Sequence, residues 1–297
     1  MAAFEGRWSY ENLQESADFL VERAGFVPKI AIICGSNLAF LTDDLTNTTQ
    51  VKYEDIPYFP ECTVPNHQSM LVFGYFDDIT PVVIMKGRFH FFEGNPSWKA
   101  GIPSTVFKLM GVKYLITTSS VVGVNEKYKP GDIMMVKDHI NMLGIAGSSP
   151  LRGPNDDRIG DRFPSMNEVY ERKLRKQAVK IAVKLKINKK LRQGVYGYVC
   201  GPSLPTVAEM RMMSICGADV VGMSTVPEVT LAKHCELKVF AVCLVVEPGT
   251  FDYSWREART TQNEAAVRAM YEPFNEFIKR LANFINEIPE CTCGRNL

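Results

Sequence analysis

The sequence of 297 residues lacks a long apolar run: no stretch reaches the roughly 20 consecutive apolar residues that a membrane-spanning helix needs. It also has little net charge: 34 lysines and arginines are nearly balanced by 33 aspartates and glutamates, which leaves +1. A chain this neutral has no broad electrostatic field to attract nucleic acid or an anionic membrane surface. Its first residues, MAAFEGRWSY, do not form a basic segment followed by an apolar core, so we expect no secretory signal. These absences predict a cytoplasmic protein without a nucleic-acid or membrane partner.

Cysteines and histidines at the spacing typical of metal ligands are scarce as well. The eight cysteines are scattered, and the four histidines do not join them at ligand spacing. Cys291 and Cys293 form a close pair in a polar tail, where either metal or redox chemistry or a flexible end with free thiols stays open. Cys34, Cys200 and Cys243 stand in apolar strand-like runs and are predicted to be small buried hydrophobic residues. We therefore expect no metal ion and no cofactor.

Strand-like and helix-like runs alternate along the whole chain. The predicted strands are 28–35, 70–76, 81–86 (paired with 70–76 as a hairpin), 112–118, 132–136, 194–200, 219–223 and 238–246. The predicted helices are 10–24, 97–110, 168–186, 207–215, 227–235 and a long one at about 255–288. Strands that alternate with helices without a linker predict one α/β domain around a mixed, largely parallel sheet. We expect that domain to span 1–297, with a short flexible tail at about 289–297.

The segment 144–166 is dense in turn residues and has no apolar periodicity, which predicts a long loop. Loops of this length are usually functional or lie at an interface. Phe163 is the one aromatic residue of the segment. The segment is therefore a candidate for a role in binding or assembly.

Several residues suited to binding an oxyanion follow the predicted strands. Ser36 lies in a Gly-Ser turn, Arg88 and His90 follow strand 81–86, and Ser224 follows 219–223. Arginine suits an oxyanion because its guanidinium can make two parallel hydrogen bonds, and side chains past strand ends reach the crevice of an α/β sheet. If the strand continues, Arg88 and His90 point the same way. Simpler alternatives remain open: a surface Arg–His pair at a sheet edge, and for Ser224 a cap of the helix that follows.

Longer motifs surround these residues. They are AIICGS, IPYFPECTVPNH, KGRFHFFEG, GPSLPTVAE and GADVVGMSTVPEV. With these motifs in this order over about 10–288, the sequence resembles the trimeric class of purine nucleoside phosphorylases, the family that includes methylthioadenosine phosphorylase. The resemblance implies an enzyme, a pentosyltransferase. In such enzymes phosphate attacks C1′ of a purine nucleoside while the glycosidic bond breaks through an oxocarbenium-like transition state.

The resemblance also implies roles for residues. Phosphate would be held by Ser36, His67, Arg88, His90, Ser224 and the amide of Ser120. Met223 would lie under the sugar. Phe163 would reach into the pocket of a neighbouring subunit, which implies a ring-shaped homotrimer. The expected ligands are then inorganic phosphate as co-substrate and a purine nucleoside, with no further cofactor.

The sugar side departs from the family pattern. The family's tyrosine that touches the sugar is Phe92 here, so a hydroxyl donor is missing. The family's Asn-Ala-Ala-Gly-Gly turn is Ser-Ser-Val-Val-Gly at 119–123, and valine resists the positive φ that glycine permits. The histidine near the sugar 5′-hydroxyl has no counterpart, since none follows His234. Asn263 or Thr261 is a candidate replacement.

The base side departs further. The family's Phe-Glu pair, which stacks on the base and binds its N1–H, is Leu204-Pro205, and its Thr-Asn pair at the 6-oxo group and N7 is Val246-Glu247. A carboxylate at Glu247 suits a 6-amino group or a protonated N7 and is a candidate general acid. His90 and Glu247 are the two candidate catalytic residues.

Three hypotheses follow. The predicted function is phosphorolysis of a purine (2′-deoxy)ribonucleoside to the free base and (deoxy)ribose 1-phosphate, supported by the complete phosphate set. One alternative is specificity shifted to 6-amino purine nucleosides through Glu247. The other is a weak or inactive relative, acting as a structural or binding protein, because each lost hydrogen bond to the base removes about 1–3 kcal/mol.

Overall fold

The computed structural model describes residues 7–35, 38–64, 68–253 and 261–289. Its helices are α1 (Tyr10–Ala24), α2 (Ser97–Leu109), α3 (Met142–Ile145), α4 (Arg172–Lys184), α5 (Val207–Ile215), α6 (Val226–His234), α7 (Thr261–Arg268) and α8 (Tyr271–Glu287). Its strands are β1 (Ile30–Ile33), β2 (Leu45–Lys52), β3 (Met70–Phe76), β4 (Thr80–Lys86), β5 (Tyr114–Gly123), β6 (Ile133–Asn141), β7 (Leu191–Tyr198), β8 (Val220–Gly222) and β9 (Lys238–Pro248). The tail predicted at 289–297 lies outside the described residues apart from Pro289.

Within the described residues, nine strands form one mixed sheet in the order β2-β3-β4-β1-β5-β8-β7-β6-β9. β1 runs parallel to both of its neighbours, β4 and β5, whereas β2, β3 and β4 pair antiparallel. β9 pairs parallel with β5 and antiparallel with β6, so that β5, β8, β7, β6 and β9 close into a ring. The predicted α/β fold around a mixed sheet is confirmed, and so is the hairpin of β3 and β4.

The central strands are buried on both faces, as their continuous apolar sequences predict. In β1, Ala31 and Ile33 pack in one cluster with the apolar faces of α1, α2 and α6. Ile30 and Ile32 point to the opposite face and pack with α4 and α8. This alternation is the period of two of a β-strand. The sheet therefore lies between two helical layers.

Several elements differ from the sequence prediction. β5 and β6 end five residues later than predicted, at Gly123 and Asn141, and the short helix α3 was not predicted. β2 was not predicted, because its sequence LTNTTQVK is polar; it lies at the sheet edge with most of its residues exposed. The long C-terminal helix is two helices, α7 and α8, which meet at Met270, and its predicted first turns lie outside the described residues. In the described part of the chain, the model contains no helix that is long and apolar enough to span a bilayer.

The fold brings several strand ends together. Because β1, β4, β5 and β9 run parallel along the sheet, their carboxyl ends lie at the same edge. β8 ends beside β5, with Val221 paired to Val122. Crevices at the carboxyl ends of strands are the usual place for ligands in α/β sheets.

Candidate active site

A cavity of about 250 Å³ opens at this edge and collects the predicted site residues. Ten of them line it: Arg88, His90, Phe92, Ser120, Leu204, Pro205, Met223, Ser224, Val246 and Glu247. The remaining lining residues are Val64, Val121, Val122, Val221 and Gly222. Residues predicted from separate parts of the sequence therefore share one site.

Of the three other predicted residues, Phe163 does not line this cavity. Ser36 and His67 lie outside the described residues. Phe163 is 89% exposed, and its ring lies under the guanidinium of Arg162 at 5.5 Å. Its predicted contact with a neighbouring subunit stays a prediction.

Arg88 lines the cavity and is 1% exposed. β4 ends two residues earlier, at Lys86, and Gly87 adopts a φ of 114°, which favours glycine. The strand therefore does not continue to His90, contrary to the expectation from alternation. Both side chains still line the cavity, because the chain turns after Gly87.

The guanidinium of Arg88 makes two parallel hydrogen bonds, but they go to the carboxylate of Glu228. Nε donates to Oε1 at 2.9 Å and Nη2 to Oε2 at 2.8 Å. Nη2 also donates to Thr117 Oγ1 at 2.7 Å, and Nη1 donates to the Thr118 carbonyl at 2.6 Å and to Ser224 Oγ at 3.2 Å. The five contacts match the five N–H donors of an arginine. The two parallel hydrogen bonds expected for an oxyanion thus go to the buried carboxylate of Glu228. Because Arg88 is buried, the alternative of a surface Arg–His pair is wrong.

Ser224 is held from two sides. Its hydroxyl accepts from Arg88, and its backbone N–H donates to the hydroxyl oxygen of Tyr196 at 3.2 Å. Burial raises the pKa of Tyr196 to about 12, so its hydroxyl stays protonated at neutral pH. The N-cap of α6 is Thr225, not Ser224, and the Thr225 hydroxyl makes no capping bond. The alternative in which Ser224 serves only as a helix cap is therefore wrong.

His90 is tied to Glu93. Oε1 of Glu93 accepts from the His90 backbone N–H at 2.7 Å and lies 3.0 Å from its ring Nδ1, while Oε2 accepts from the N–H and the hydroxyl of Thr63, both at 2.7 Å. Burial works to raise the pKa of Glu93, but the hydrogen bonds from His90 and Thr63 outweigh it and hold that pKa at about 2. The ring of His90 also stacks on Phe92, with centroids 4.6 Å apart. One carboxylate therefore anchors both the histidine and the loop that carries Val64 into the cavity.

Apart from Ser120 and Glu247, the rest of the cavity wall is apolar. Residues 119–123 belong to β5 and pair along β9, with Val122 opposite Glu247. Every described residue of this stretch keeps a negative φ, so the glycine-dependent turn expected from the family pattern is not needed here. Leu204 lies at the mouth and is 61% exposed. A flat apolar ligand would be held mainly by dispersion, beside the one carboxylate of Glu247.

The comparisons with known proteins agree with this geometry. Residues 29–287 match the family described as the phosphorylase superfamily. The chain is 44% identical over 280 residues to the purine nucleoside phosphorylase of Anopheles gambiae, which covers 94% of this chain and 79% of that protein. It is 40% identical over 279 residues to that of Bos taurus, which covers 94% of both. The chain belongs to the purine nucleoside phosphorylase family.

The similarity extends to three dimensions. A crystal structure of a Schistosoma purine nucleoside phosphorylase in complex with hypoxanthine superposes with a TM-score of 0.87 at 36% identity. The match covers 95% of this chain and 99% of that one. The family fold is therefore present over almost its full length.

Three supporting residues of this family site were missed from the sequence: Glu228, Glu93 and Tyr196. Glu228 stands three residues after the N-cap Thr225, in an otherwise apolar helix start. A carboxylate there signals a buried ion pair, because charged residues are almost never fully buried without a partner. Glu93 had a similar signal in its spacing of three from His90. Tyr196 had none.

The cysteines fit a structural role. Cys34 and Cys243 are buried as predicted, and burial raises the pKa of each thiol to about 12. Cys200 is partly buried. Among the described residues, no group of three histidine, cysteine, aspartate or glutamate side chains is placed to hold a metal ion. The Cys291–Cys293 pair lies outside them.

Proposed function

We propose that this protein catalyses phosphorolysis of purine nucleosides, giving the free base and a (deoxy)ribose 1-phosphate. The observation that carries the proposal is the composition of one cavity. Its lining combines Arg88, His90 and Ser224 with mostly apolar side chains. The relatives named above are purine nucleoside phosphorylases, so fold, site and family point to the same reaction.

In the proposed reaction, phosphate lies beside Arg88, His90 and Ser224, and the nucleoside lies against the apolar side chains of the cavity. A phosphate oxygen forms the new bond to C1′ as the bond from C1′ to the base nitrogen N9 breaks. The bonding electrons leave with the base, which takes up one proton overall as the attacking hydrogen phosphate gives one up. Catalysis of this kind depends on positioning and on stabilising charge, because the protein forms no covalent bond.

Individual residues have distinct tasks in the proposal. Arg88 and Ser224 hold and orient phosphate, and His90 lies beside it with a ring anchored by Glu93. Met223 supports the sugar. Glu247 faces the base as the candidate proton donor or acceptor. No cofactor takes part besides phosphate as co-substrate.

The two relatives described above are both named as purine nucleoside phosphorylases, so they give no support to the hypothesis that this protein is inactive. The pocket itself supports turnover because its anion donors are organised by buried partners rather than left as loose surface side chains. Base preference depends on Glu247 and on the apolar pair Leu204-Pro205.

The test is phosphorolysis by the purified protein with inosine, guanosine, adenosine and methylthioadenosine in parallel, with and without inorganic phosphate. Phosphate-dependent release of base supports the proposal, and Arg88→Ala is expected to abolish it. Release from the 6-amino substrates alone would assign specificity to Glu247. A folded protein that releases no base from any substrate would overturn the proposed function.

We also propose a ring-shaped homotrimer in which Phe163 of one subunit completes a neighbour's pocket. Phe163, in the long loop after β6, is 89% exposed, so its ring is accessible to a neighbouring subunit. Light scattering should give three times the chain mass of 33.4 kDa. Phe163→Ala should raise the KM for nucleoside while Phe163→Tyr leaves it near wild type. A fully active monomer would contradict the proposal.

For location, the proposal is the cytoplasm. Its support is the near-neutral sequence, which has no broad electrostatic field to attract an anionic membrane surface. Fractionation of cells that express the tagged chain tests it, and recovery in a secretory compartment would refute it.

A further inference from the structure

We infer that Glu228 is a positioning residue for phosphate, acting through Arg88. The inference rests on the proposed function, since it concerns how the same site holds its co-substrate. Glu228 does not line the cavity itself. Its carboxylate sets the plane of the guanidinium that does.

The carboxylate is itself held from several sides. Glu228 is 2% exposed in the first turn of α6, and its Oε2 accepts from the hydroxyl of Thr117 at 2.7 Å as well as from Arg88. Its backbone carbonyl accepts from the hydroxyl of Ser104 on α2 at 2.9 Å. A buried acceptor with this many fixed partners has one orientation, and it passes that orientation to the guanidinium through two parallel hydrogen bonds.

The pairing decides which donor faces the ligand. Among the described residues whose contacts are given above, Glu228, Thr117, Thr118 and Ser224 accept from the guanidinium, and of these Ser224 is the one that lines the cavity. Its contact with Nη1, at 3.2 Å, is also the longest of the five. The Nη1 hydrogen that Ser224 accepts is therefore the one that phosphate would take over, next to the Ser224 hydroxyl.

The pairing of Arg88 with Glu228 also determines how phosphate is held. Arg88 and Glu228 together carry no net charge, so phosphate meets an oriented N–H rather than an isolated cation. Orientation then matters more than the sum of charges. Removing the carboxylate should weaken phosphate binding, although it makes the site more positive.

The first variant is Glu228→Gln. A glutamine amide has one acceptor oxygen, and its NH₂ group opposes the N–H donors of Arg88, so the guanidinium turns away from its present plane. The KM for phosphate should rise at least about tenfold, the loss expected when a hydrogen bond to a charged group is misplaced. The KM for nucleoside should change by less than about twofold, because the base end is untouched. A phosphate KM that is unchanged or lower would overturn the inference.

Glu228→Asp covers the case in which the first variant does not fold. It keeps the charge but withdraws the carboxylate by one methylene, so Nη1 is displaced and the phosphate KM should again rise. The matched control is Asp132→Asn, a buried carboxylate 2.9 Å from Arg192 that does not line the cavity. The control should lose stability without a change in the KM for phosphate. A similar KM increase in the control would reduce Glu228 to a general structural role.

A second measurement separates this inference from the proposed function. The rise in Tm caused by inorganic phosphate reports binding without turnover. If the wild-type protein releases no base but is stabilised by phosphate, and Glu228→Asp is not, the function fails and the positioning role stands. If the wild-type protein turns over and both Glu228 variants keep the phosphate KM and the Tm shift, the positioning role is wrong and the function stands.

Discussion

One oxygen of Glu93 contacts two nitrogens of His90: Oε1 accepts from the backbone N–H at 2.7 Å and lies 3.0 Å from ring Nδ1. Because the pKa of Glu93 is about 2, this oxygen belongs to a carboxylate at neutral pH and can only accept. The ring hydrogen therefore lies on Nδ1. The histidine enters the site with its tautomer and ring plane set by a side chain three residues away.

Glu93→Gln should impair the use of phosphate. The amide no longer specifies which ring nitrogen carries the hydrogen, and it loses charge-assisted bonds to His90 and Thr63. We expect kcat/KM for phosphate to fall about 10- to 100-fold, the value of one to two such bonds. Steady-state kinetics with varied phosphate measure the change. Glu61→Gln, an exposed position on the same loop as Thr63, is the control and should match wild type; a loss of equal size there would contradict the argument.

Acid should destabilise the wild-type protein partly through Glu93. Its folded pKa of about 2 lies below its ordinary value of 4.5, so the folded state binds fewer protons than the unfolded state between these values. This contribution is present above about pH 4.5 and is lost as pH falls towards 2. Urea unfolding of the wild type and Glu93→Gln at several pH values should show a stability gap that narrows in this window. Parallel curves would show that the carboxylate is not linked to folding.

Glu247→Gln should shift base preference. An ionised carboxylate only accepts hydrogen bonds, and it repels the 6-oxo oxygen of hypoxanthine or guanine, whereas an amide supplies a donor. The ratio of kcat/KM for inosine to that for adenosine should rise about tenfold, the worth of one hydrogen bond. Parallel assays of both nucleosides give the ratio. If both substrates change equally, Glu247 does not read the 6-position.

Thr225→Val should stabilise the protein. Thr225 is 1% exposed, lies in a γ-turn with φ 69° and ψ −54°, and its Oγ1 finds no hydrogen-bond partner among the described residues. Valine keeps the shape and removes the unpaired hydroxyl, so the free energy of unfolding should rise by about 1–2 kcal/mol. Urea denaturation measures it. Thr225→Ser keeps the hydroxyl, loses a methyl group and should be less stable than wild type; a destabilised valine variant would mean that the hydroxyl has a partner.

The strands and helices of the core were predictable because their sequences carry strong periodic patterns. α1 and α5 have the predicted bounds, and the buried strands β1 and β9 lie within a residue or two of theirs. β2 escaped prediction because an edge strand needs little apolar sequence. The break between α7 and α8 escaped because the apolar spacing continues across it.

By itself, the sequence determined the fold class, the family and the residue types gathered at the site, since periodicity and ordered motifs are properties of the chain alone. Tertiary structure decided which hydrogen-bond partner each of those residues has. The sequence places Glu228 140 residues after Arg88, and no local pattern says that its carboxylate takes the two parallel bonds of the guanidinium. Hydrogen-bond geometry depends on angles and on a few tenths of an ångström between distant segments. Those are set only when α6, β5 and the turn after β4 pack together.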